Sequence, residues 1–506
     1  MAQMKSEPAP AIRQPSLLDA LIPLVFMIIM LTWSIVLFGI DAATGPLQVA
    51  LLLSAVVAGV VAHKNGHPWE RLGEEIVKGI SLAMSAILIL LMVGALIGVW
   101  NMSGTIATVV YYGIQYINPA WFYFAAALLT GIIGIVTGSS WTTAATLGVA
   151  FVGMANAIGA SPAITAGAVI SGAYFGDKMT PLSETTILTP QIVGSNVYAH
   201  IRSMAKASIP AYLIALLLFF LIGQFGQVTP PPMDATAVLA ALASVYTITL
   251  WNLLPIAVLL VLGFRRYPAF LSILIGTLAG ALVAIIFQQP LLIAFANDMS
   301  LSAPFAAIKS IWVAMANGFV LESPYPEINE LFSGGGMSSM LLTVWLILGA
   351  MSFGAMMDFG GFNHRLITPV ISRVKSDGAT IATVMLTSIG FNIVAGDQYI
   401  AIVLPARMFM ITFRQRGLHP EMLATAVENS GTVTSPLIPW NSCGAYMSAA
   451  LGVSTFVYFP YCFFNFINPI LGLVYGFVGI NVQHLPATEQ PELEQLPQAP
   501  LVDQQK

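Results

Sequence analysis

Long apolar stretches occur along most of the chain and are separated by short polar segments. Five of the clearest are residues 17–40, 79–100, 209–222, 269–287 and 340–356. A helix needs about 20 residues to cross the hydrocarbon core of a bilayer, and most of these stretches are long enough. Segments in which apolar and polar residues alternate, as they do in a membrane barrel, are absent from the sequence. The pattern therefore predicts membrane-spanning helices.

The composition supports a location in the lipid bilayer. Hydrophobic residues make up 57% of the 506 residues and charged residues only 8%, and the mean hydropathy is +0.85. Soluble domains contain about 45 to 50% apolar residues. The first stretch, residues 17–40, is longer than the roughly 7 to 15 apolar residues of a signal peptide, so we expect it to remain as the first span. We predict an all-α, multi-pass membrane protein.

Positively charged residues near the first two spans predict the orientation of the chain. Lys5 and Arg13 precede the first span, and residues 41–61 contain no Lys or Arg. Lys64 and Arg71 follow the second span. Since cytoplasmic loops carry an excess of Lys and Arg, the N-terminus is predicted to lie in the cytoplasm. The location that we expect for the protein is the inner (plasma) membrane.

Several classes of function are disfavoured by the sequence. The net charge is −4 and the basic residues are scattered, so nothing indicates binding of nucleic acid. The six His residues form no metal-ligand cluster, and no P-loop, nucleophile-elbow or dinucleotide motif is present. We therefore expect neither enzyme activity nor a cofactor. Cys443 and Cys462 are predicted to be small buried residues, and residues 481–506, rich in Pro, Gln and Glu, are predicted to be disordered.

Two parts of the chain resemble each other at a spacing of 258 residues. The segment TGSSWTTAATLG, which starts at Thr137, aligns with AGDQYIAIVLPA, which starts at Ala395, so that Gly138 lies over Gly396. At a spacing of 255, MTPLSETT from residue 179 lies over TSPLIPWN from residue 434. These matches fall where the apolar stretches are interrupted. Irregular backbone at membrane depth is tolerated only where it is buried in protein or lines a cavity.

The repeat predicts an organisation with the binding site between two halves. Each half shows the same order: an apolar span, a break with Gly and polar residues, an Ala- and Gly-rich helix, and a Pro-containing polar break. The predicted regions are a cytoplasmic N-terminal segment (1–16), a first repeat (17–224), connecting spans with an inter-repeat loop (225–338), a second repeat (339–480) and the tail (481–506).

The segment GDKMTPLSETT contains the first candidate ligands. An ionised Asp at bilayer depth costs about 2.5 to 3.5 kcal/mol, so Asp177 is expected to have a partner or a function. Pro181 removes a backbone donor and frees carbonyl groups in the preceding turn. Oxygen ligands with carboxylates suit a hard cation such as sodium. The candidates here are Asp177, Thr180, Ser183 and Glu184. The alternative is an exposed loop in which Asp177 and Glu184 are solvated.

Two further interruptions contain polar residues. The tip of a hairpin at residues 137–148 would present Ser139 and Ser140 to a substrate, although small residues there also suit helix packing. Asp397 occupies the place of Ser139 in the second half, and Arg407 is either its counter-ion or directed to the interface. Glu428 is a third candidate acid, or alternatively ends a short loop. Residues Thr434, Ser435 and Asn441 follow it in a stretch with two prolines.

Three segments resemble those of a known family. SGAYFGDKMTPLSETT, GDQYIAIVLPARMF and SGTVTSPLIPWNSCGAYMSAALG are similar to the corresponding parts of NhaC-type sodium/proton antiporters, which belong to the ion transporter superfamily. The resemblance covers about residues 17–479. It implies a secondary transporter with two inverted repeats, each with a re-entrant hairpin and a discontinuous helix, that forms a homodimer and moves in an elevator-like manner. It also implies site roles for Asp177, Asp397, Thr434, Ser435 and Asn441. One departure is Glu184, where the resemblance leads us to expect Asp.

The resulting prediction is exchange of sodium for protons at a site that holds one or the other. Asp177 and Asp397 are the predicted sodium ligands. Apart from the transported sodium ions and protons, no cofactor is expected. The alternative is a cation-coupled exchanger of organic anions, such as malate and lactate, or of amino acids. In that case a buried cation is expected to pair with the carboxylate of the organic substrate, and the candidates are Lys178 and Arg407. A passive channel is disfavoured because paired broken helices favour alternating access.

Overall fold

The protein is almost entirely helical. The computed structural model describes residues 12–225, 235–265, 267–371, 374, 376–480 and 482–485. Within these ranges the only β-structure consists of two isolated bridges. By length and composition, nine of the described helices can cross a membrane, or up to eleven if each of two bent pairs counts as one span. The predicted class of all-α, multi-pass membrane protein is confirmed.

The described chain contains helices in three groups. The first group is α1 (Leu17–Phe38), α2 (Pro46–Lys64), α3 (Trp69–Met102), α4 (Thr105–Tyr116), α5 (Phe122–Thr137), α6 (Ser140–Thr143), α7 (Val149–Ile158), α8 (Pro162–Lys178), α9 (Glu184–Val193) and α10 (Val197–Phe225). The connecting group is α11 (Ala235–Val245), α12 (Leu254–Phe264), α13 (Ala269–Phe287), α14 (Gln289–Ala296), α15 (Ala303–Asn317) and α16 (Pro326–Phe332). The last group is α17 (Leu341–Phe359), α18 (Phe362–Ile371), α19 (Asp377–Val394), α20 (Gln398–Gln415), α21 (Pro420–Val427), α22 (Ser442–Leu451), α23 (Thr455–Tyr458) and α24 (Phe463–Val478).

The apolar stretches located the long helices well. The stretch 269–287 coincides with α13, and 17–40 contains all of α1. The stretch 79–100 underestimates α3, which begins at Trp69. Its first turns carry Glu70 and Arg71, so hydropathy does not mark them as part of a span.

Helix caps recur at a spacing of 258 residues in the two halves. Gly138 after α5 and Gly396 before α20 both have positive φ values, 64° and 66°. The residues that follow them, Ser139 and Asp397, are the N-caps of α6 and α20. Positive φ is readily adopted by glycine alone. These two glycines therefore form the buried tips of hairpins α5–α6 and α19–α20, as the repeat predicts.

The breaks in the two long helices follow the same spacing. Ser183 caps α9 and Asn441 caps α22, and α9 and α22 end at Gly194 and Gly452. These pairs lie 258 residues apart, so the predicted change to a spacing of 255 in this segment is wrong. It rested on matching two Pro-Leu pairs, whereas the caps determine where the helices restart. Discontinuous helices α8/α9 and α21/α22 are present, and their inversion in the membrane stays a prediction.

Glycines bring α5 and α8 into close contact beneath the first hairpin. A β-carbon at Gly176 would overlap the carbonyl oxygen of Gly131 and approach the Cα of Gly134 to 2.6 Å. Small residues allow this approach of two helix backbones in membranes. The contact fixes the last turn of α8 against the hairpin.

Gly176→Ala is expected to destabilise the protein by about 1 to 3 kcal/mol, the usual cost of overpacking. The measurement is the thermal unfolding of purified protein in detergent. Gly390→Ala is the matched control, because a β-carbon at Gly390 on α19 meets no atom within 4 Å among the described residues. Equal melting temperatures for the two variants would contradict the close contact.

The helices pack in two bundles. In the outer bundle α1, α2, α3, α13 and α17 contact one another. The hairpin bundle contains α5, α8, α9, α10, α19, α20, α21 and α24. The two hairpins thus pack mainly outside the bundle that contains the longest helix, α3, whereas α22, after the second helix break, contacts α3 and α17.

The predicted inter-repeat loop contains a helix, and part of the tail predicted to be disordered is ordered. The loop LESPYPEINELFSGGG contains α16, and its Gly336 N donates to the carbonyl oxygen of Gly94 on α3, at 2.6 Å. In the tail, His419 N donates to Gln483 O at 2.9 Å, and Leu485 N donates to Gly417 O at 2.7 Å. The prediction of disorder is therefore wrong for residues 482–485, because their backbone pairs with the α20–α21 loop. Residues 486–506, and residues 1–11 at the other end, lie outside the described residues.

Candidate functional site

A cavity of about 1150 Å³ lies between the two bundles. Its inner wall is formed by the hairpin tips and the restart points of the broken helices. Six of the predicted site residues line it: Ser139, Ser140, Asp177, Ser183, Glu184 and Asp397. Five others lie outside its wall: Thr180, Glu428, Thr434, Ser435 and Asn441.

Asp177 occupies the last turn of α8 and is 6% exposed. Its Oδ2 accepts a hydrogen bond of 2.9 Å from Ser140 Oγ, at the start of α6. Ser139 caps the same helix and accepts from Thr142 N at 3.2 Å. The alternative of an exposed loop is wrong for Asp177, since it lies in a helix and is enclosed by the first hairpin.

Asp397 is equally buried at the tip of the second hairpin. Its Oδ1 caps α20 by accepting from the backbone N of Tyr399 at 2.9 Å and of Ile400 at 3.1 Å. Its Oδ2 accepts from Ser442 Oγ, the first residue of α22, at 3.1 Å. In each half, one carboxylate–serine hydrogen bond therefore joins a hairpin to a broken helix. The carboxylate belongs to the broken helix in the first half and to the hairpin in the second.

Four helix N-termini meet at the inner wall. The first residues of α9, α20 and α22 line the cavity, and so does the first residue of the helical segment Ser140–Ile158 that α6 and α7 form through a π-helical turn. Helix N-termini carry partial positive charge and favour nearby negative charge. They therefore offset part of the cost of burying two carboxylates.

Predicted residues outside the cavity wall support the second broken helix. Asn441 Nδ2 donates to Asn392 Oδ1 at 3.0 Å, and Asn392 Nδ2 donates to Thr434 Oγ1 at 3.0 Å. Ser435 Oγ donates to Gln398 Oε1 at 2.9 Å. These contacts fix the break between α21 and α22 against the second hairpin.

The halves also contact each other across the site. Tyr399 Oη donates to Glu184 Oε2 at 2.6 Å. Tyr446 stacks on Trp141, with ring centroids 3.9 Å apart. Glu184, the departure from the expected Asp, is exposed at the cavity wall. Its longer side chain reaches a tyrosine of the opposite half.

The two predicted counter-cations lie in different places. Arg407 on α20 is exposed and lines the cavity. Lys178 is completely buried behind the wall, and its Nζ donates to Asn429 Oδ1 at 2.5 Å. Arg407 is thus the candidate that can meet a solute in the cavity.

Some functional candidates were missed by sequence reasoning. Ser442 and Cys443 at the start of α22 line the cavity, as does Gln398. Cys443 was predicted to be a small buried residue, and it is buried, but its Sγ also donates to Gln398 Oε1 at 3.0 Å. Their position in the sequence could have identified them, because Ser442 and Cys443 follow the N-cap Asn441 and Gln398 follows the N-cap Asp397.

Known proteins resemble this chain over most of its length. The model of the Na+/H+ antiporter family matches residues 10–189 and 172–480. The Na(+)/H(+) antiporter NhaC of Alkalihalophilus pseudofirmus is 35% identical, over 86% of this chain and 90% of that protein. The malate-2H(+)/Na(+)-lactate antiporter of Bacillus subtilis is 32% identical, over 92% and 96%. The arginine/ornithine antiporter ArcD of Halobacterium salinarum is 32% identical, over 95% and 96%.

Proposed function

Because the chain belongs to the Na+/H+ antiporter family, we propose that it is a secondary active transporter that exchanges sodium ions for protons across the membrane. The observation that carries this proposal is the pair of buried carboxylates, Asp177 and Asp397, on one wall of one cavity. Each lies at the junction of a hairpin and a broken helix. Sites at such junctions between repeats are typical of secondary transporters.

The exchange follows from competition at these carboxylates. Sodium requires oxygen ligands, which the Asp177 and Asp397 carboxylates and the Ser140 and Ser442 hydroxyls supply. A carboxyl group that carries a proton has lost the charge that attracts sodium. The site therefore holds sodium or protons. If both carboxyl groups release one proton each for every sodium ion, two positive charges are exchanged for one. The exchange is then electrogenic.

The part of the cavity lined by the start of α3 is the proposed entrance from the cytoplasm. Glu75 and Lys78, in the first third of α3, line this part of the wall. The α2–α3 connection just before them follows Lys64 and lies on the side predicted to be cytoplasmic. The described conformation is accordingly assigned as open to the cytoplasm.

Release on the other side requires movement between the bundles. Both carboxylates belong to the hairpin bundle, whereas α3, α13 and α17 of the outer bundle form the opposite wall. We assign an elevator-like movement of the hairpin bundle against the outer bundle, in a homodimer as the family resemblance implies.

A second candidate function is cation-coupled exchange of an organic acid or amino acid. One observation favours it: Arg407 lines a cavity far larger than a sodium ion needs. A guanidinium group binds carboxylates with two parallel hydrogen bonds. The names of two relatives, the malate/lactate and arginine/ornithine antiporters, are compatible with such a substrate.

Liposomes that contain the purified protein and a trapped pH dye separate the two functions. Sodium alone is expected to move protons, with no movement in empty liposomes. Lithium, potassium, malate, lactate and amino acids are then added in turn. Proton movement that requires an organic solute would replace the first function by the second, and Arg407→Gln would then be expected to abolish it. If sodium alone suffices, the same variant retains proton movement.

A further inference from the structure

A second group of charged side chains lies behind the cavity wall. Lys178 and Glu428 are both completely buried, and neither is among the residues that line the cavity. Lys178 donates to Asn429, as described above, and Glu428 Oε2 accepts from Thr189 Oγ1 on α9 at 2.9 Å. We call Lys178, Glu428, Asn429 and Thr189 the buried charge cluster. The alternative that Glu428 ends a loop is wrong, because it lies in the π-helical turn that continues α21.

Polar atoms in and beside this cluster are left without partners. Glu428 Oε1 has no hydrogen-bond partner in the described part of the chain. The same holds for both ring nitrogens of His200, a completely buried residue on α10 within electrostatic range of Lys178. A buried polar atom left unpaired costs about 1 to 3 kcal/mol. An unpaired carboxylate oxygen in such a place is an acceptor suited to a proton.

A small crevice, separate from the cavity, reaches Asn429 of the cluster, the residue that follows Glu428 in the chain. It has a volume of about 40 Å³ and shares no lining residue with the cavity within the described ranges. Its wall contains exposed Lys206, then Ser203 and Thr425, whose hydroxyls are 2.9 Å apart, and buried Asn429, the partner of Lys178. A cavity needs about 10 to 15 Å³ of this kind of volume, the space open to the centre of a water molecule, to hold one water. The crevice is thus large enough to hold water.

The charges around Glu428 link it to the cavity. Asp177 and Lys178 on α8 lie within electrostatic range of Glu428. His200 on α10 lies within electrostatic range of Lys178, the exposed Lys206 lines the crevice, and α9 contributes the uncharged Thr189. Asp177 and Glu428 interact electrostatically. A positive charge added beside Asp177 therefore disfavours a proton on Glu428.

We propose that Glu428 is a proton-binding site separate from the two cavity carboxylates, exchanging its proton with water in the crevice and releasing it when sodium binds beside Asp177. The proposal rests on the proposed sodium–proton exchange. On release, the O–H bond at Glu428 Oε1 breaks, the proton passes to a crevice water, and the carboxylate remains, with no oxidation or reduction. By reciprocity, a proton on Glu428 weakens sodium binding by the same factor.

The test counts protons released when sodium binds to the full-length protein in detergent. A pH dye in weakly buffered solution reports the release, and sodium is the only ligand added. Since sodium displaces protons, its Kd falls as pH rises, and the slope gives the number displaced. Glu428→Gln is expected to release one proton fewer per sodium ion than the wild type. For each unit rise in pH, the sodium Kd of this variant is therefore expected to fall about tenfold less than that of the wild type. Glu428→Asp is expected to restore the count.

A crevice variant tests the route independently if Glu428→Gln fails to fold. Thr425→Val is expected to keep the proton count but slow the release by about tenfold, the effect of one lost hydrogen bond on a rate. Thr277→Val on α13 is the matched control, because this buried residue lines neither the cavity nor the crevice. A wild-type count in Glu428→Gln, or a wild-type rate in Thr425→Val, overturns the proposal. Wild-type protein that releases no proton would instead overturn the proposed exchange.

Discussion

Asp177→Asn is expected to reduce sodium-dependent proton movement to the level of empty liposomes while the protein remains folded. An amide can neither ionise nor take up a proton in the relevant pH range. Sodium and the proton, which bind alternately, therefore both lose the carboxylate that holds them. The amide oxygen still accepts the hydrogen bond from Ser140, which preserves the contact between α6 and α8. The measurement is the pH-dye assay in liposomes, with size-exclusion chromatography to verify folding.

Asp298→Asn is the control for the loss of a carboxylate. Asp298 lies in the α14–α15 loop, and hydrogen bonds from Ser300 and Lys309 hold the pKa of its carboxyl group well below its ordinary value. It therefore stays ionised throughout the pH range in which exchange is measured, and its substitution is expected to leave transport unchanged. Wild-type exchange in Asp177→Asn would remove Asp177 from the mechanism.

Asp397→Asn is expected to weaken the apparent sodium affinity by about tenfold or more, the effect of losing about 1.4 kcal/mol of binding free energy. Asn is a good N-cap, so α20 is expected to remain intact. The half-maximal sodium concentration for proton movement, measured from pH 6 to pH 9, gives both the affinity and the pH profile. If both match the wild type, Asp397 serves only to cap α20 and to bond Ser442.

The sequence predicts the membrane spans, the hairpin tips and the two buried carboxylates, but not the contacts between distant segments. Apolar stretches mark the spans because length and hydropathy alone decide whether a helix crosses a bilayer. Gly138 and Gly396 mark the hairpin tips because only glycine readily adopts their backbone conformation. Both carboxylates were recognisable because ionised side chains are rare in apolar sequence.

Contacts between distant segments were not predictable. Ser140 and Asp177 were both candidates, yet their hydrogen bond depends on how α5, α6 and α8 pack. The bond between Lys178 and Asn429 joins residues from opposite halves. No local pattern specifies such a pair, because it depends on the directions of side chains in the assembled bundle.

The pairing of residues 482–485 with the α20–α21 loop limits how far the chain can be shortened after α24 without loss of contacts. Removal of everything after α24 would also remove His484, which lies 3.0 Å from Asp377 Oδ2 at the start of α19. The start of α19 and the loop after α20 would then both lose contacts. They form the base of the second hairpin, far from Asp397 at its tip. A truncation after residue 485 keeps these contacts, so tags and fusion partners belong beyond that point.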